Sequence, residues 1–213
     1  MDIEFYGANC VKLKTKETTI VVDDNLEAIG GKTQTTSDSV AVYTSQATKN
    51  KTSSSKARLV LDTAGEYEVG DVTVIGTQTR GHMDEEGEET AVVFQFTHGN
   101  QTVSVLGHIH PKASDAVQEL IGGTDVLMVP VGGNGYTLDA TGAASIIKKS
   151  EPDVIIPTHY AVDKLSLEVP AAPLDEFMKV VSMTASEPVD SLKLGKSLDG
   201  ESTQTKLVVL NVK

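Results

Sequence analysis

Apolar positions in this chain fall in short runs, and the first half is dominated by runs that alternate with polar residues. Ile3-Glu4-Phe5-Tyr6 and Val11-Lys12-Leu13 flank Gly7-Ala8-Asn9, the pattern of a hairpin with one buried face. Thr19 to Val22 is a third, β-branched run, closed by Asp23 and Asp24. Val40 to Tyr43, Arg58 to Leu61, Gly65 to Val69 and Val72 to Ile75 read as further strands. Ala91 to Phe96 and Thr102 to Leu106 predict a hairpin around His98-Gly99-Asn100, with His98 a turn residue in water. Gly30 to Ser39 is a polar loop, and the Ser/Thr/Lys-rich stretch Lys51 to Lys56 reads as a solvated, mobile surface loop.

The pattern changes after residue 110. Lys112 to Leu120 predicts a helix, with Ser114 as N-cap and Gly122 as its stop. Asp125 to Pro130 is a continuous apolar run, as in a strand buried on both faces. Gly132, Gly133 and Gly135 then permit a tight loop, a better reading than an anion cradle. Asp139 can cap a helix whose stripe is Ala140, Ala143, Ala144, Ile146 and Ile147, with Lys148 and Lys149 at its negative end. Val154 to Ile156 is a second buried strand, and His159 sits just past its carboxyl end, where α/β proteins place ligand-binding groups. Val169 to Pro173 reads as a linker, Leu174, Phe177, Met178 and Val181 as a core-facing helix, and Lys206 to Val212 as a closing strand. Strands first and strand–helix units later define an α+β chain, taken here as a single domain spanning 1–213.

Composition narrows the function classes. The net charge is −12 over 213 residues, which argues against nucleic acid or an anionic membrane as partner. A small molecule or another protein is the expected partner. One cysteine, Cys10, excludes an internal disulfide framework and reads as a small buried residue. No run is long enough to span a bilayer and no basic-then-apolar leader is present, so the default location is the cytoplasm.

The stretch VLMVPVGGNGYTLDATGAASIIKKSEPDVIIPTHY resembles the C-terminal half of the metallo-β-lactamase superfamily. It is most similar to the small branch near the ascorbate-6-phosphate lactonases and their "Zn-dependent hydrolase" relatives. The Phe-Tyr-Gly…Cys-Val…Ile-Val-Val-Asp-Asp opening and Gly65-Glu66-Tyr67-Glu68-Val69 fit the same family. The resemblance implies a four-layer αββα sandwich: two mostly antiparallel sheets face to face, helices outside, and a site at one edge.

The resemblance also implies where metal ligands belong. Family members carry His-x-His-x-Asp-His after the strand that here ends at Tyr43. Aligned on that strand, those positions are Ser45, Ala47, Lys49 and Asn50. None is a good zinc or iron ligand, and Lys49 brings positive charge to a cation's place. The family's metal-bridging aspartate is replaced by His108, and the histidine of its Gly-His-Ser-Cys by Ala8. His82, in Gly81-His82-Met83-Asp84, and His159 match family histidines. The acidic run Asp84 to Glu89 reads as a solvated tip.

Three function classes are therefore weighed. The favoured one is a non-catalytic, pseudoenzyme-like binding or structural protein with no cofactor. The alternative is a hydrolase of lactone or phosphoester type, with one Zn or other divalent transition metal on a mononuclear site of His82, His108, His110 and His159. Metal-free chemistry through Lys49, His108 and Asp139 ranks last, because no nucleophile–base–orienter set can be read.

Overall fold

The computed structural model describes residues 1–195 and 205–213. Strands β1 (Asp2–Gly7), β2 (Cys10–Lys14) and β3 (Thr19–Val22) form an antiparallel meander. Parallel strands β4 (Val40–Val42) and β5 (Leu59–Leu61) extend it on one side. Between these two, helix α1 (Lys51–Lys56) crosses over. The second sheet begins with the antiparallel strands β6 (Gly65–Val69), β7 (Val72–Thr79), β8 (Ala91–His98) and β9 (Gln101–Val105). It continues through α2 (Asp115–Ile121), β10 (Val126–Pro130), α3 (Ala140–Ser150) and β11 (Val154–Thr158), with β10 parallel to both β9 and β11. After α4 (Leu174–Val181), the short strands β12 (Leu192–Lys193) and β13 (Lys206–Leu207) join the edges of the first and second sheets respectively.

The two sheets share one apolar core that runs in sequence from Met1 to Leu210, with Phe5, Phe94, Phe96 and Phe177 fully buried. Alternation decides which face of β1 goes in: Ile3 and Phe5 are buried, while Glu4 and Tyr6 keep contact with solvent. β10 and β11 are buried at every position, as their unbroken apolar runs require. This is an α+β, four-layer sandwich. Among the described residues no helix is long and apolar enough to cross a membrane.

Four local expectations change. The second sheet is parallel in three of its six pairings rather than mostly antiparallel, with α2 and α3 supplying the β9–β10 and β10–β11 crossovers that parallel neighbours need. Lys51 to Lys56 is a helix and not a mobile loop. Asn50 Oδ1 caps it by accepting from the backbone N–H of Thr52 (2.8 Å) and Ser53 (3.3 Å). Ser53 turns inward, donates to the Asp24 carbonyl at 2.7 Å and bonds the Tyr43 hydroxyl at 2.7 Å. The closing strand is confined to Lys206–Leu207, with single bridges at Leu210 and Val212. His98 ends β8 half-buried, its Nε2 3.1 Å from Asp71 Oδ2, rather than standing in water at a turn.

Capping follows the sequence closely. Ser114 accepts from Val117 N–H at 3.3 Å, and Asp139 accepts from Gly142 N–H at 2.7 Å. Gly122 follows α2 with ordinary φ, and the left-handed turn falls on Gly123.

Candidate functional site

A cleft opens at the carboxyl ends of β3, β4, β9, β10 and β11, where the backbone leaves each sheet and side chains from both converge. Two adjacent buried aspartates follow β3 and brace the loops that wall it. Asp23 is fully buried with φ +50°. Its carboxylate accepts from Thr44 N–H (2.8 Å), Thr44 Oγ1 (2.6 Å) and Thr48 Oγ1 (2.6 Å). Burial pushes its pKa up to about 6, against the pull of those hydrogen bonds. Asp24 accepts from Gln34 N–H (2.8 Å), Thr35 N–H (2.7 Å) and Thr35 Oγ1 (2.6 Å), tying down the Gly30–Ser39 loop.

Asp23 thereby fixes the segment in which the family resemblance places metal ligands. Ser45 Oγ accepts from Ala47 N–H at 3.1 Å, capping a 3-10 turn over Gln46–Thr48. Lys49 Nζ lies 2.5 Å from Asp62 Oδ2. Asn50 caps α1, and Ala47 is an exposed methyl at the cleft wall. Three of the four side chains are thus engaged in capping or ion pairing, and the fourth has no donor atom.

Four of the five histidines form two pairs. His108, only 6% exposed, places Nδ1 3.2 Å from the Tyr136 carbonyl, which makes that nitrogen the N–H donor. Its ring meets His159 edge to face at 5.1 Å and Tyr136 at 4.6 Å. Burial first, and the neighbouring His159 second, lower the His108 pKa to about 3. Burial lowers that of His159 to about 4. His159 is held in left-handed backbone (φ +50°), its N–H donating to the Ala8 carbonyl at 2.7 Å. A Cβ on Gly132 would collide with the His159 carbonyl oxygen, so only glycine lets the two loops pack this closely.

His82 and His110 make the second pair, with ring centroids 6.5 Å apart. The backbone N–H of His82 donates to the His108 carbonyl at 2.7 Å. His110 Nδ1 accepts from Lys112 N–H at 3.1 Å, and its pKa is lowered by desolvation, then by Arg80. Asp84 accepts from Gly81 N–H (2.6 Å), Thr90 N–H (2.8 Å) and Thr90 Oγ1 (2.6 Å), closing the loop that carries His82.

A metal can be tested against these donors. The Nδ1 atoms of His82 and His159 are buried and unpartnered. His108 and His110 each spend one nitrogen on the backbone, and the Asp23 carboxylate is filled by threonines. Among the described residues no group of three or more His, Cys, Asp or Glu is placed to hold an ion. The donor set does not fit a family-type centre, which needs several ligands around an open coordination position.

Two residues that shape the cleft, Tyr136 in its wall and Asp23 behind the Thr44–Thr48 segment, have no functional signature in the sequence. Tyr136 lies within the glycine loop, where three successive positive φ values (Gly133 +64°, Asn134 +56°, Gly135 +76°) turn the chain back toward His108. Asp23 was legible only as the end of a strand. The one available signal was a pair of carboxylates directly after a buried apolar run.

Residues 2–159 match the family described as the beta-lactamase superfamily domain. No curated protein matches the sequence. Among solved structures, the chain is similar to an inferred Zn-dependent hydrolase of the metallo-β-lactamase superfamily from Thermotoga maritima. Identity is 28%, the TM-score 0.73, and the match covers 98% of this chain and 97% of that one. An inferred metal-dependent hydrolase from Parabacteroides distasonis shares the fold at 13% identity and TM-score 0.63, covering 99% and 93%. So does Igni18, a metallo hydrolase from Ignicoccus hospitalis, at 16% and 0.57, covering 85% and 90%.

Proposed function

The chain belongs to the metallo-β-lactamase superfamily, and on that premise we propose that it is a non-catalytic member whose cleft binds a small molecule or protein partner without a metal ion. The observation that carries this reading is the use made of the replaced ligand positions. Ser45 and Asn50 cap local helices, Lys49 pairs with Asp62, and Ala47 has no donor atom. A metal introduced there would have to compete with caps that each contribute about 1 kcal/mol to local structure.

A second reading has its own observation. His82 and His159 each keep a buried, unpartnered Nδ1, and rotation of their rings toward His108 would assemble a mononuclear three-histidine site for zinc, with hydrolase activity. Metal content separates the two. Mass spectrometry on protein purified without a metal-affinity tag, after incubation with zinc and desalting, is expected to give far less than one equivalent. About one equivalent, lost in the His108→Ala/His159→Ala double variant, would establish the second reading in place of the first.

A further inference from the structure

Between β11 and α4 the chain runs through residues 161–172 without a helix or a strand. The two ends of this segment are tied to each other and to the glycine loop. Ala161 N–H donates to the Ala172 carbonyl at 2.9 Å, and Ala172 N–H to the Gly132 carbonyl at 2.8 Å. Asn134 Nδ2 adds a hydrogen bond to the Pro170 carbonyl. A surface loop of roughly 6–16 residues whose ends meet in this way is an Ω-loop, a form that frequently carries function.

The tip, residues 163–169, is held more lightly than the ends, and no residue of it is buried. Among the described residues, one backbone hydrogen bond ties it to the body, from Ser166 N–H to the Ile29 carbonyl at 2.9 Å. The other hold is Leu165. Its side chain packs on the small cluster of Cys10, Val21 and Leu26. It fills a notch that two glycines leave open: a Cβ on Gly7 would collide with Leu165 Cδ1, and one on Gly31 would touch Cδ2. Segments with few buried contacts and few backbone bonds open at the low end of the free-energy range for local unfolding.

This lightly held tip covers something. Ser166, Leu167, Glu168 and Val169 wall a cavity of about 230 Å³ that also meets Tyr136 and His159, and His159 is only 4% exposed. We propose that residues 163–169 are a lid on this compartment, moving on the hydrogen-bonded ends at 161 and 172 and latched by Leu165 between Gly7 and Gly31. Opening costs one backbone hydrogen bond and the Leu165 contact. It leaves in place the paired ends and the His159 N–H bond to the Ala8 carbonyl. Lids of this kind admit a ligand and then exclude water from it. The lid rests on the proposed function only in taking the compartment to be a binding site, and it serves a metal-free and a metal-bound cleft alike.

Amide hydrogen exchange followed by NMR on the full chain tests the opening, and a neutral nitroxide dissolved in the sample tests access. Protection of the Ser166 amide is expected to be at least about tenfold lower than that of Ala161, Ala172 and His159. Leu165→Ala removes the latch from a half-buried position. It should lower Ser166 protection by about a further tenfold and leave the other three amides unchanged. In the same variant the nitroxide should broaden the His159 ring signals more than in the wild type, with the His98 signals affected equally in both. Ser166 protection equal to that of the end amides, a uniform or absent response to Leu165→Ala, or unchanged broadening at His159 would each overturn the proposal. Neither readout involves a metal or a ligand. A failed lid therefore leaves the metal-free reading standing, and one bound equivalent of zinc removes that reading without touching the lid.

Discussion

His108 and His159 pack edge to face at 5.1 Å, with their planes at 83°. They come from loops after different strands, and both are almost wholly buried. Two imidazoles in that position cannot both be charged at low cost, since each proton meets burial and the other ring. The pair is therefore neutral at pH 7.

This gives a signed pH dependence. The folded pKa values, about 3 and about 4, lie below the usual 6.5. The unfolded chain thus binds these two protons first, and stability is lost as pH falls below 6.5. Asp23 acts in the opposite sense: its folded pKa of about 6 lies above 3.8, so the folded state takes up that proton first. Between about pH 6 and 4 these three groups leave one net proton favouring unfolding, a slope of about 1.4 kcal/mol per pH unit. Urea unfolding of the wild type and of Asp23→Asn at pH 6, 5 and 4 separates the Asp23 contribution from that of His110, Glu4, Asp71 and Asp84, whose pKa values are also lowered.

Asp23→Asn isolates the carboxylate. The amide oxygen can keep the bonds from Thr44 N–H and Thr48 Oγ1, and the amide NH₂ can donate to Thr44 Oγ1. The variant is expected to fold at pH 7, and its slope between pH 6 and 4 to be steeper than the wild type's by about 1.4 kcal/mol per unit, the one proton that Asp23 no longer takes up in the folded state. Asp23→Ala leaves buried Thr44 N–H and Thr44 Oγ1 facing a void, while Thr48 Oγ1 keeps the Ser45 carbonyl, and should cost about 1–3 kcal/mol for each donor left unmet. An unchanged slope in Asp23→Asn would show that this carboxylate does not titrate in the range.

Gly132→Ala should destabilise by about 1–3 kcal/mol, the usual cost of overpacking, because the new methyl group meets the His159 carbonyl. In the proton spectrum the His159 ring signals should shift while those of His98, at the far end of β8, stay in place. A neutral effect on melting temperature would mean that the two loops separate easily.

Asn50→Ala removes the α1 cap and should cost about 1 kcal/mol. Faster hydrogen exchange at Thr52, Ser53 and Ser54 is the expected readout. Exchange unchanged at those amides would count against the structural use of this position.

Cys10 is fully buried, and burial with Asp24 and Asp23 nearby pushes its thiol pKa well up. Iodoacetamide at pH 8 should leave it untouched in the folded protein and alkylate it in urea, as intact mass would report. Labelling under native conditions would reveal local opening of β2.

The sequence by itself determined most of the strands, the caps at Ser114 and Asp139, and the doubly buried β10 and β11. These follow from local alternation, local hydrogen bonding and unbroken apolar runs, all of which act over a few residues. It also determined that Ser45, Ala47, Lys49 and Asn50 are poor metal ligands, because donor chemistry is written in residue type. Tertiary structure alone decided where the histidines meet. His108 pairs with His159, and His82 with His110, through contacts between loops far apart in the chain, and no local pattern encodes such distances. It alone made Asp23 a buried anchor, since its Thr44 and Thr48 partners reach it only once β3 and β4 lie side by side. It turned Lys51 to Lys56 into a helix because Ser53 found the Asp24 carbonyl and the Tyr43 hydroxyl, a tertiary gain that outweighs the weak helix propensity of serine and threonine.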